Sequence, residues 1–334
     1  MTANREIILT ELPVGELKPE HFALRDGTVG SPGEGELLVR NVLLSIDAAN
    51  RAWMQGATYR EAVNAGDVMH TYALAEVVTS QDPQYAPGEL VTTESRWADY
   101  AVVKARHATK VKPAGPLAHA LSVYGIAGKT AYHGLLGVGR PNPGETVVVS
   151  AAAGSVGSYV GQIARAHGCR VVGIAGGAEK CAWVCSELGF DACIDYHEKG
   201  LFGRLREACP DGVDVYFDNV GGAILETVLF QMNLKGRVVC CGAVSQYNET
   251  SPQGPRNLPG MVVVKRLRME GFLVMDFHDE DAKAQSDLER WVAAGAVKAV
   301  EDIFDGLERA PAALIGLLSG DNRGKRLVRV TPDP

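Results

Sequence analysis

Residues 146–180 read TVVVSAAAGSVGSYVGQIARAHGCRVVGIAGGAEK, and the fold class follows from their pattern. An apolar run of Val leads into a turn of small residues, then into an amphipathic run that ends at Gly168, then into a second apolar run. Buried parallel strands are nearly continuous apolar runs, and amphipathic crossover helices join them. These residues therefore predict a strand, a helix and a second strand of one parallel sheet.

A glycine motif, Ala152-x-Gly154-x-x-Gly157, lies directly after the first predicted strand and opens the predicted helix. In this context such a motif is typical of a dinucleotide-binding site. Gly154 lets the backbone approach a pyrophosphate, and Gly157 lets the helix lie close to the strand. The N–H groups and the dipole at the start of the helix favour an anion. The alternative is a turn of small residues that binds no ligand.

The end of the second strand indicates which dinucleotide is bound. NAD sites place Asp or Glu at this point to bind the ribose hydroxyls. Here the strand ends in Ala175 and continues with Gly176 and Gly177, which leave room and carry no charge. Lys180 follows in the first turn of the next predicted helix, and a small pocket with a cation suits the 2′-phosphate of NADP(H). The alternative for Lys180 is a solvated surface lysine.

The alternation of apolar strands and amphipathic helices continues to about residue 293, which predicts a doubly wound parallel α/β sheet. Before residue 120, short apolar runs broken by Gly and Pro predict a β-domain. The polar segment 245–260 is broken by Pro252, Gly254, Pro255 and Pro259 and predicts a long surface loop. The tail is predicted as strand, helix and strand, and its last strand, KRLVRV (325–330), is expected to return to the β-domain. The expected domains are 1–122 with 300–334, and 123–299.

Of the 334 residues, 46% are hydrophobic, which is typical of a globular protein. The net charge of −7 argues against nucleic-acid binding through a basic face. No apolar run reaches the roughly 18 residues of a membrane-spanning helix, and the first residues lack the apolar core of a signal peptide. The seven Cys, all between Cys169 and Cys241, fit no disulfide framework. We therefore expect a cytoplasmic protein without nucleic-acid or membrane partners.

The cysteine positions also bear on metal binding. Residues 1–168 contain no Cys, which excludes the catalytic zinc site with Cys ligands and the four-Cys zinc lobe of alcohol dehydrogenases. The eight His are scattered and are expected on the surface or in packing, although His70 and His133 could enter a cleft. We expect no metal site.

Several stretches besides 146–180 together resemble one family. The chain is similar to zinc-independent medium-chain dehydrogenases/reductases, in the group of prostaglandin reductases, leukotriene B4 12-hydroxydehydrogenases, alkenal double-bond reductases and curcumin reductase. The resemblance covers nearly the whole chain and implies a GroES-like β-domain, a Rossmann nucleotide domain, NADPH as cofactor and a homodimer. The stretches that carry it are LLSIDAANRAWM (43–54), KTAYHGLLGVG (129–139), DNVGG (218–222), CGAVSQYN (241–248), LRMEGFLV (267–274) and GDNRGKRLV (320–328).

The resemblance also implies the cofactor contacts. The pyrophosphate would lie against Ala153, Gly154, Ser155, Val156 and Gly157. The 2′-phosphate would lie beside Gly176 and contact Lys180 and Tyr196. The adenosine, the nicotinamide and the remaining edge of the site would contact Thr130, Asn219, Cys241, Gly242, Ala243, Ser245, Tyr247, Phe272, Leu273, Val274 and Asn322.

Two positions depart from the family pattern. The family usually has Asp-Pro-Tyr-Met-Arg where Asp47–Arg51 reads Asp-Ala-Ala-Asn-Arg. Some relatives have a Tyr four residues before an Arg-Met-Glu motif, where this chain has Val263 or Val264. A proton donor is therefore not carried over to that position, and the shape of the substrate pocket stays open.

Without a metal, an enone or enal is easier to reduce than an isolated ketone, because a few hydrogen-bond donors can stabilise the charge that develops on the carbonyl oxygen. The candidate donors are Tyr59, Asn50 and Tyr247, with Tyr59 matching a family tyrosine beside the substrate cleft. The alternatives are a packing tyrosine at the cleft rim for Tyr59, a turn cap for Asn50 and a cofactor-packing ring for Tyr247. The α-carbon can take its proton from solvent.

Three functions are consistent with these features. The first is an NADPH-dependent 2-alkenal or 2-alkenone reductase acting on a small enone or enal. The second is a quinone reductase or a zinc-independent alcohol dehydrogenase of the same fold. The third is a non-catalytic NADPH-binding protein.

Overall fold

The structure is a computed structural model that describes residues 2–56, 58, 60–112, 115–249, 251 and 254–333. The chain divides into two compact units. The first comprises Met1–Leu121, Glu301–Asn322 and Arg326–Pro334, and the second comprises Ser122–Val300 and Arg323–Lys325. Within the described ranges, no helix is long and apolar enough to cross a membrane.

The second unit is built on a parallel sheet, which has six strands among the described residues. Numbered along the chain, its strands are β8 Thr146–Ser150, β9 Arg170–Ala175, β10 Ala192–Asp195, β11 Val213–Asp218, β12 Met232–Cys240 and β13 Arg268–Gly271. Their order in the sheet is β10-β9-β8-β11-β12-β13, which is the doubly wound order of the Rossmann fold. The strand order reverses between β8 and β11, and ligands bind at the carboxyl ends of the strands at such a point.

Helices cover both faces of this sheet because successive strand residues point to opposite sides. Val147 and Val149 belong to one buried cluster, and Val148 belongs to another. Ile163 of the helix Ser155–Ala166 packs in the first cluster and Leu225 of the helix Gly222–Gln231 in the second. The helices of the unit are α2 Ile126–Tyr132, α3 Ser155–Ala166, α4 Ala178–Leu188, α5 Leu201–Ala208, α6 Gly222–Gln231, α7 Leu258–Lys265 and α8 Asp281–Ala293.

The first unit is a β-domain that also contains two short α-helices among its described residues. Its elements are β1 Thr2–Leu9, β2 Phe22–Val29, β3 Glu36–Ser45, α1 Ala49–Ala52, β4 His70–Ser80, β5 Leu90–Arg96, β6 Tyr100–Lys104, β7 Thr109–Lys110, β14 Glu301–Asp305, α9 Ala310–Leu318 and β15 Lys325–Arg329. Strand β15 pairs antiparallel with β3, with Leu327 opposite Ser45. The predicted return of the tail strand to the β-domain is therefore confirmed.

The predicted fold class, a doubly wound parallel sheet with a discontinuous β-domain, is confirmed. Two local features differ from expectation. The segment predicted as a loop to residue 260 already becomes helical at Leu258, since Pro259 is tolerated in the first turn, where its missing N–H has no partner to lose. Residues His133–Gly139 form a π-helix directly after α2, which the sequence pattern did not indicate.

Candidate functional site

The glycine turn between β8 and α3 is tightly closed. Ala151 has a positive φ of 50°, and the N–H of Gly154 donates to the carbonyl of Ala151 at 2.9 Å. A Cβ atom on Gly157 would overlap the carbonyl oxygen of Ala151. Helix α3 therefore begins directly against the turn, and the close approach needs glycine at position 157.

The start of α3 fits an anion. In the described part of the chain, no side chain caps the helix at Gly154. The hydroxyl oxygen of Ser155, the first residue of the helix, is buried and has no hydrogen-bond partner among the described residues. A pyrophosphate at this point would accept hydrogen bonds from the first-turn N–H groups and from Ser155. Val156 is half-buried beside them.

A segment from the end of the chain is fixed next to this turn. The N–H of Gly324 donates to the carbonyl of Ala153 at 2.8 Å, and Gly324 forms an isolated parallel bridge with Gly154. Gly324 has a φ of +71°, and a Cβ on it would overlap the carbonyl oxygen of Val300. Residues 323–325 therefore lie beside the glycine turn. Asn322, a predicted cofactor contact, is buried and is the last residue of the segment Glu301–Asn322, which belongs to the first unit.

The turn after β9 lies against two aromatic side chains, so the room expected at Gly176 is taken by Tyr196 and His197. An ideal Cβ on Gly176 would lie 3.2 Å from the hydroxyl oxygen of Tyr196 and 2.8 Å from Cε1 of His197. Gly177 has a φ of +89°, and Lys180 is the half-buried third residue of α4. The structure thus places Tyr196 against the turn that leads to Lys180.

Asp195 also belongs to this region, although the sequence pattern did not single it out. Its Oδ1 accepts hydrogen bonds from the N–H of Gly177 at 2.9 Å and from the N–H of His197 at 3.0 Å. The bond from Gly177 holds the pKa of Asp195 below its ordinary value. Its position at the end of β10, next to the end of β9, was the available signal, because parallel neighbours end at the same edge.

The turn after β11 lies at the point where the strand order reverses. The backbone N–H of Asn219 donates to Oγ of Ser150 at 2.9 Å, and its Nδ2 donates to the carbonyl of Ser150 at 2.8 Å. Oδ1 of Asp218 accepts hydrogen bonds from the N–H groups of Val220 and Gly221 at 3.0 and 2.9 Å. Asn219 is therefore oriented by β8 on one side and by the Asp218 turn on the other.

The turn after β12 is tied to the same residues. The N–H groups of Cys241 and Gly242 donate to the carbonyl of Asp218 at 2.9 and 3.2 Å, and the hydroxyl of Ser245 donates to the carbonyl of Val220 at 2.6 Å. Tyr247 closes this turn, since its hydroxyl oxygen lies 3.6 Å from an ideal Cβ on Gly242.

The Tyr247 hydroxyl accepts a hydrogen bond from the N–H of Ala243, and burial raises the pKa of Tyr247. This phenol therefore stays protonated at neutral pH and can donate a hydrogen bond. The predicted residues 241–247 and Asn219 thus come together at one edge of the sheet.

The segment after β13 packs on the π-helix. The ring of Phe272 meets Phe217 edge to face at 6.4 Å between centroids, and a Cβ on Gly134 would overlap it. Leu273 and Val274 follow, and Thr130 is half-buried on α2. His133 is buried, stacks on Phe277 at 4.8 Å and is a packing residue in this unit.

Two of the catalytic candidates, Asn50 and Tyr59, lie outside this unit. Asn50 is buried, its Oδ1 accepts the N–H of Asp47 at 2.8 Å, and its Nδ2 donates to the carbonyl of His70 at 2.8 Å. These contacts match the turn-cap alternative. Tyr59 lies outside the described residues. Among the residues that the structure describes, no group of three or more His, Cys, Asp or Glu is placed to hold a metal ion.

A glycine turn, a second strand that ends without a carboxylate, and a polar edge at the reversal point are typical of a dinucleotide-dependent oxidoreductase. Two family models agree, the "N-terminal domain of oxidoreductase" over residues 5–111 and "Zinc-binding dehydrogenase" over residues 155–289. The chain belongs to the zinc-independent medium-chain dehydrogenases/reductases, in the alkenal and prostaglandin reductase group.

Full-length relatives give this placement its detail. The chain is 42% identical to the NADPH-dependent curcumin reductase of Escherichia coli, covering 99% of this chain and 98% of that one. It is 39% identical to a NADP(+)-dependent 2-alkenal reductase of Nicotiana tabacum, covering 98% of each. The crystal structure of CurA from Vibrio vulnificus in complex with NADPH superposes with a TM-score of 0.93 at 39% identity, over 98% of this chain and 100% of that chain.

Proposed function

We propose that the protein catalyses the NADPH-dependent reduction of the C=C bond of α,β-unsaturated aldehydes and ketones. The observation that carries this proposal is the identity of 42% and 39%, over nearly the whole chain, to a curcumin reductase and a 2-alkenal reductase. The residues present fit NADPH, because the turn after β9 offers Tyr196 and Lys180 and has no carboxylate at the end of that strand.

When bound, NADPH supplies a hydride to the β-carbon of the substrate. The protein then has to stabilise negative charge on the carbonyl oxygen, and a protonated hydroxyl is suited to this. Tyr247 is one such group, since burial raises its pKa and the turn 241–247 holds it. Tyr59 is the second candidate donor, because it matches a tyrosine of the family.

Stopped-flow mixing of the protein and NADPH with an enone, a quinone or a ketone tests the proposal. Rapid NADPH oxidation with the enone alone supports C=C reduction. Oxidation with the quinone alone, or with the ketone alone, would instead assign a quinone reductase or an alcohol dehydrogenase. Tight NADPH binding without turnover of any acceptor would assign a non-catalytic binding protein.

We also infer that two copies associate through β13, an edge strand of the parallel sheet. Val263 and Val264 on the neighbouring helix α7 are 72% and 68% exposed. If a second copy pairs antiparallel about Met269, Arg268 of each copy lies opposite Glu270 of the other, so the charges are complementary. Light scattering should then give a dimer mass, and Glu270→Arg should weaken it; a wild-type monomer at micromolar concentration would contradict the inference.

We propose a cytoplasmic location because the cysteines are free. All seven are free thiols, and burial raises the pKa of each. Such thiols suit a reducing compartment. Fractionation of the native cell, followed by detection of the protein, tests this.

A further inference from the structure

We propose that Arg323 determines specificity for the 2′-phosphate of NADPH, and that Glu179 pairs with Arg323 until the phosphate replaces it. This inference rests on the proposed use of NADPH. Nη2 of Arg323 lies 3.3 Å from Oε2 of Glu179. The two side chains are 44% and 91% exposed, so both are open to a ligand.

The backbone places this ion pair across two turns of the dinucleotide site. The N–H of Gly324 donates a hydrogen bond to the carbonyl of Ala153 in the glycine turn. The backbone of Arg323 therefore lies beside the turn that is proposed to bind the pyrophosphate. Glu179 is the second residue of α4, directly before Lys180. The Arg323 side chain therefore reaches from the carboxyl end of β8 to that of β9, where the adenosine ribose lies in this fold.

The charges around the pocket call for a second cation. A phosphate monoester carries about −1.5 to −2 charges at neutral pH. The carboxylate of Glu179 directly precedes Lys180, and Arg204, which donates to the carbonyl of Asp195, offsets the charge of Asp195, so Lys180 and Glu179 leave the rim without a net positive charge. Arg323 restores the balance, and its planar guanidinium can bind two phosphate oxygens at once.

Glu179 lies where its carboxylate should repel the 2′-phosphate. Its presence is explained if Arg323 exchanges the Glu179 carboxylate for the phosphate when NADPH binds. Exposed ion pairs contribute little to stability, so replacing the Glu179 carboxylate by a phosphate costs little. The phosphate carries more charge than the carboxylate and is held at the same time by the first turn of α4. Glu179 thus competes with the 2′-phosphate for Arg323.

Dissociation constants for NADPH and NADH, measured by calorimetry without any enone, test this directly. Arg323→Ala should weaken NADPH by about tenfold and leave NADH nearly unchanged. Arg323→Lys should recover part of the loss. Glu179→Gln, at a highly exposed position, should tighten NADPH by about two- to threefold because the competitor is removed.

Lys298→Ala is the matched control. Lys298 pairs with Glu187 near the far end of α4, with 3.5 Å between the charged atoms and 55% exposure of both side chains. The substitution removes a cation that pairs with the same helix and should change the affinity for neither cofactor.

The outcomes separate the two proposals. If Arg323→Ala weakens NADPH and NADH equally, residue 323 supports the glycine turn. If Glu179→Gln binds NADPH more weakly than wild type, Glu179 positions Arg323. Either result overturns the inference. A wild type that prefers NADH would instead remove the cofactor assignment itself. A failure to reduce enones leaves these binding measurements unaffected.

Discussion

The hydroxyl of Tyr216 donates a 2.8 Å hydrogen bond to Oδ1 of Asp218, and both side chains are buried. The same oxygen accepts the N–H groups of Val220 and Gly221. Burial raises the pKa of both Asp218 and Tyr216. Because the carbonyl of Asp218 also accepts the N–H groups that start the turn after β12, one residue fixes two turns of the cofactor site.

Asp218→Ala should lower both stability and cofactor affinity. The substitution leaves a buried hydroxyl and two backbone N–H groups without their acceptor, and each costs about 1–3 kcal/mol. We expect the free energy of unfolding in urea to fall by at least about 3 kcal/mol. Asp218→Asn keeps an acceptor oxygen and should lose less. Equal losses in the two variants would contradict this account.

Gly157→Ala should disrupt the glycine turn, because the new Cβ would overlap the backbone carbonyl of Ala151. We expect α3 to shift, NADPH to bind at least about tenfold more weakly and the melting temperature to fall. Gly203→Ala in α5 is the control, since nothing lies within 4 Å of its ideal Cβ. Alanine is the better helix former by up to about 1 kcal/mol, so this variant should be as stable as wild type or more so. A Gly157→Ala protein with wild-type affinity would refute the close-approach argument.

The sequence predicted those parts of the site that depend on local pattern. The glycine turn and the turn after β9 could be predicted because each lies between a strand and a helix that are adjacent in the chain. The bond between Gly324 and Ala153 joins residues far apart in the chain, and no local pattern encodes it. Asp195 was missed because only the sheet order places it beside Gly177.

His133 should make the stability of the protein sensitive to acid. Its Nε2 lies 3.6 Å from Oδ1 of Asp281, Lys129 and Glu280 also face it, and burial lowers the pKa of His133. The folded state therefore disfavours the protonated ring, while the unfolded chain takes up a proton near pH 6.5. The stability contribution is present above that pH and is lost as the pH falls toward the lower folded pKa.

His133→Phe removes this proton uptake and can keep the stacking on Phe277. Urea unfolding at pH values about one unit above and one unit below the ordinary His pKa of about 6.5 should show a smaller loss of stability in the variant than in wild type. His278→Gln, at an exposed position near the same Asp281, should behave like wild type. An unchanged pH dependence in His133→Phe would show that other groups cause the acid sensitivity.

Tyr59→Phe should lower turnover on an enone by about tenfold, with little change in NADPH affinity. A dedicated oxyanion donor is typically worth roughly 10²–10³ in rate, and the effect is smaller where a ribose hydroxyl shares the role. Tyr247→Phe, measured in parallel, tests the other candidate donor, which lies on the turn 241–247. Unchanged kinetics in Tyr59→Phe would assign that tyrosine to packing.

Lys180→Ala should weaken NADPH by about tenfold and leave NADH nearly unchanged. Lys180 lies in the first turn of α4, where the helix dipole also favours an anion, and the hydroxyl oxygen of Tyr196 lies close to Gly176 on the same turn. A charge-assisted hydrogen bond contributes about 1.5–3 kcal/mol, and solvent reduces this at the rim.

The preference of the Lys180→Ala variant for NADPH should also depend less on salt, because one screened ion pair is gone. Titrations of both cofactors at two salt concentrations, with Lys298→Ala as the control, measure this. If Lys180→Ala weakens NADPH and NADH equally, the lysine supports the turn rather than the phosphate. If Arg323→Ala and Lys180→Ala each weaken NADPH alone, both cations contact the 2′-phosphate, and the two losses in binding free energy should add only partly, since residues that share one ligand are coupled.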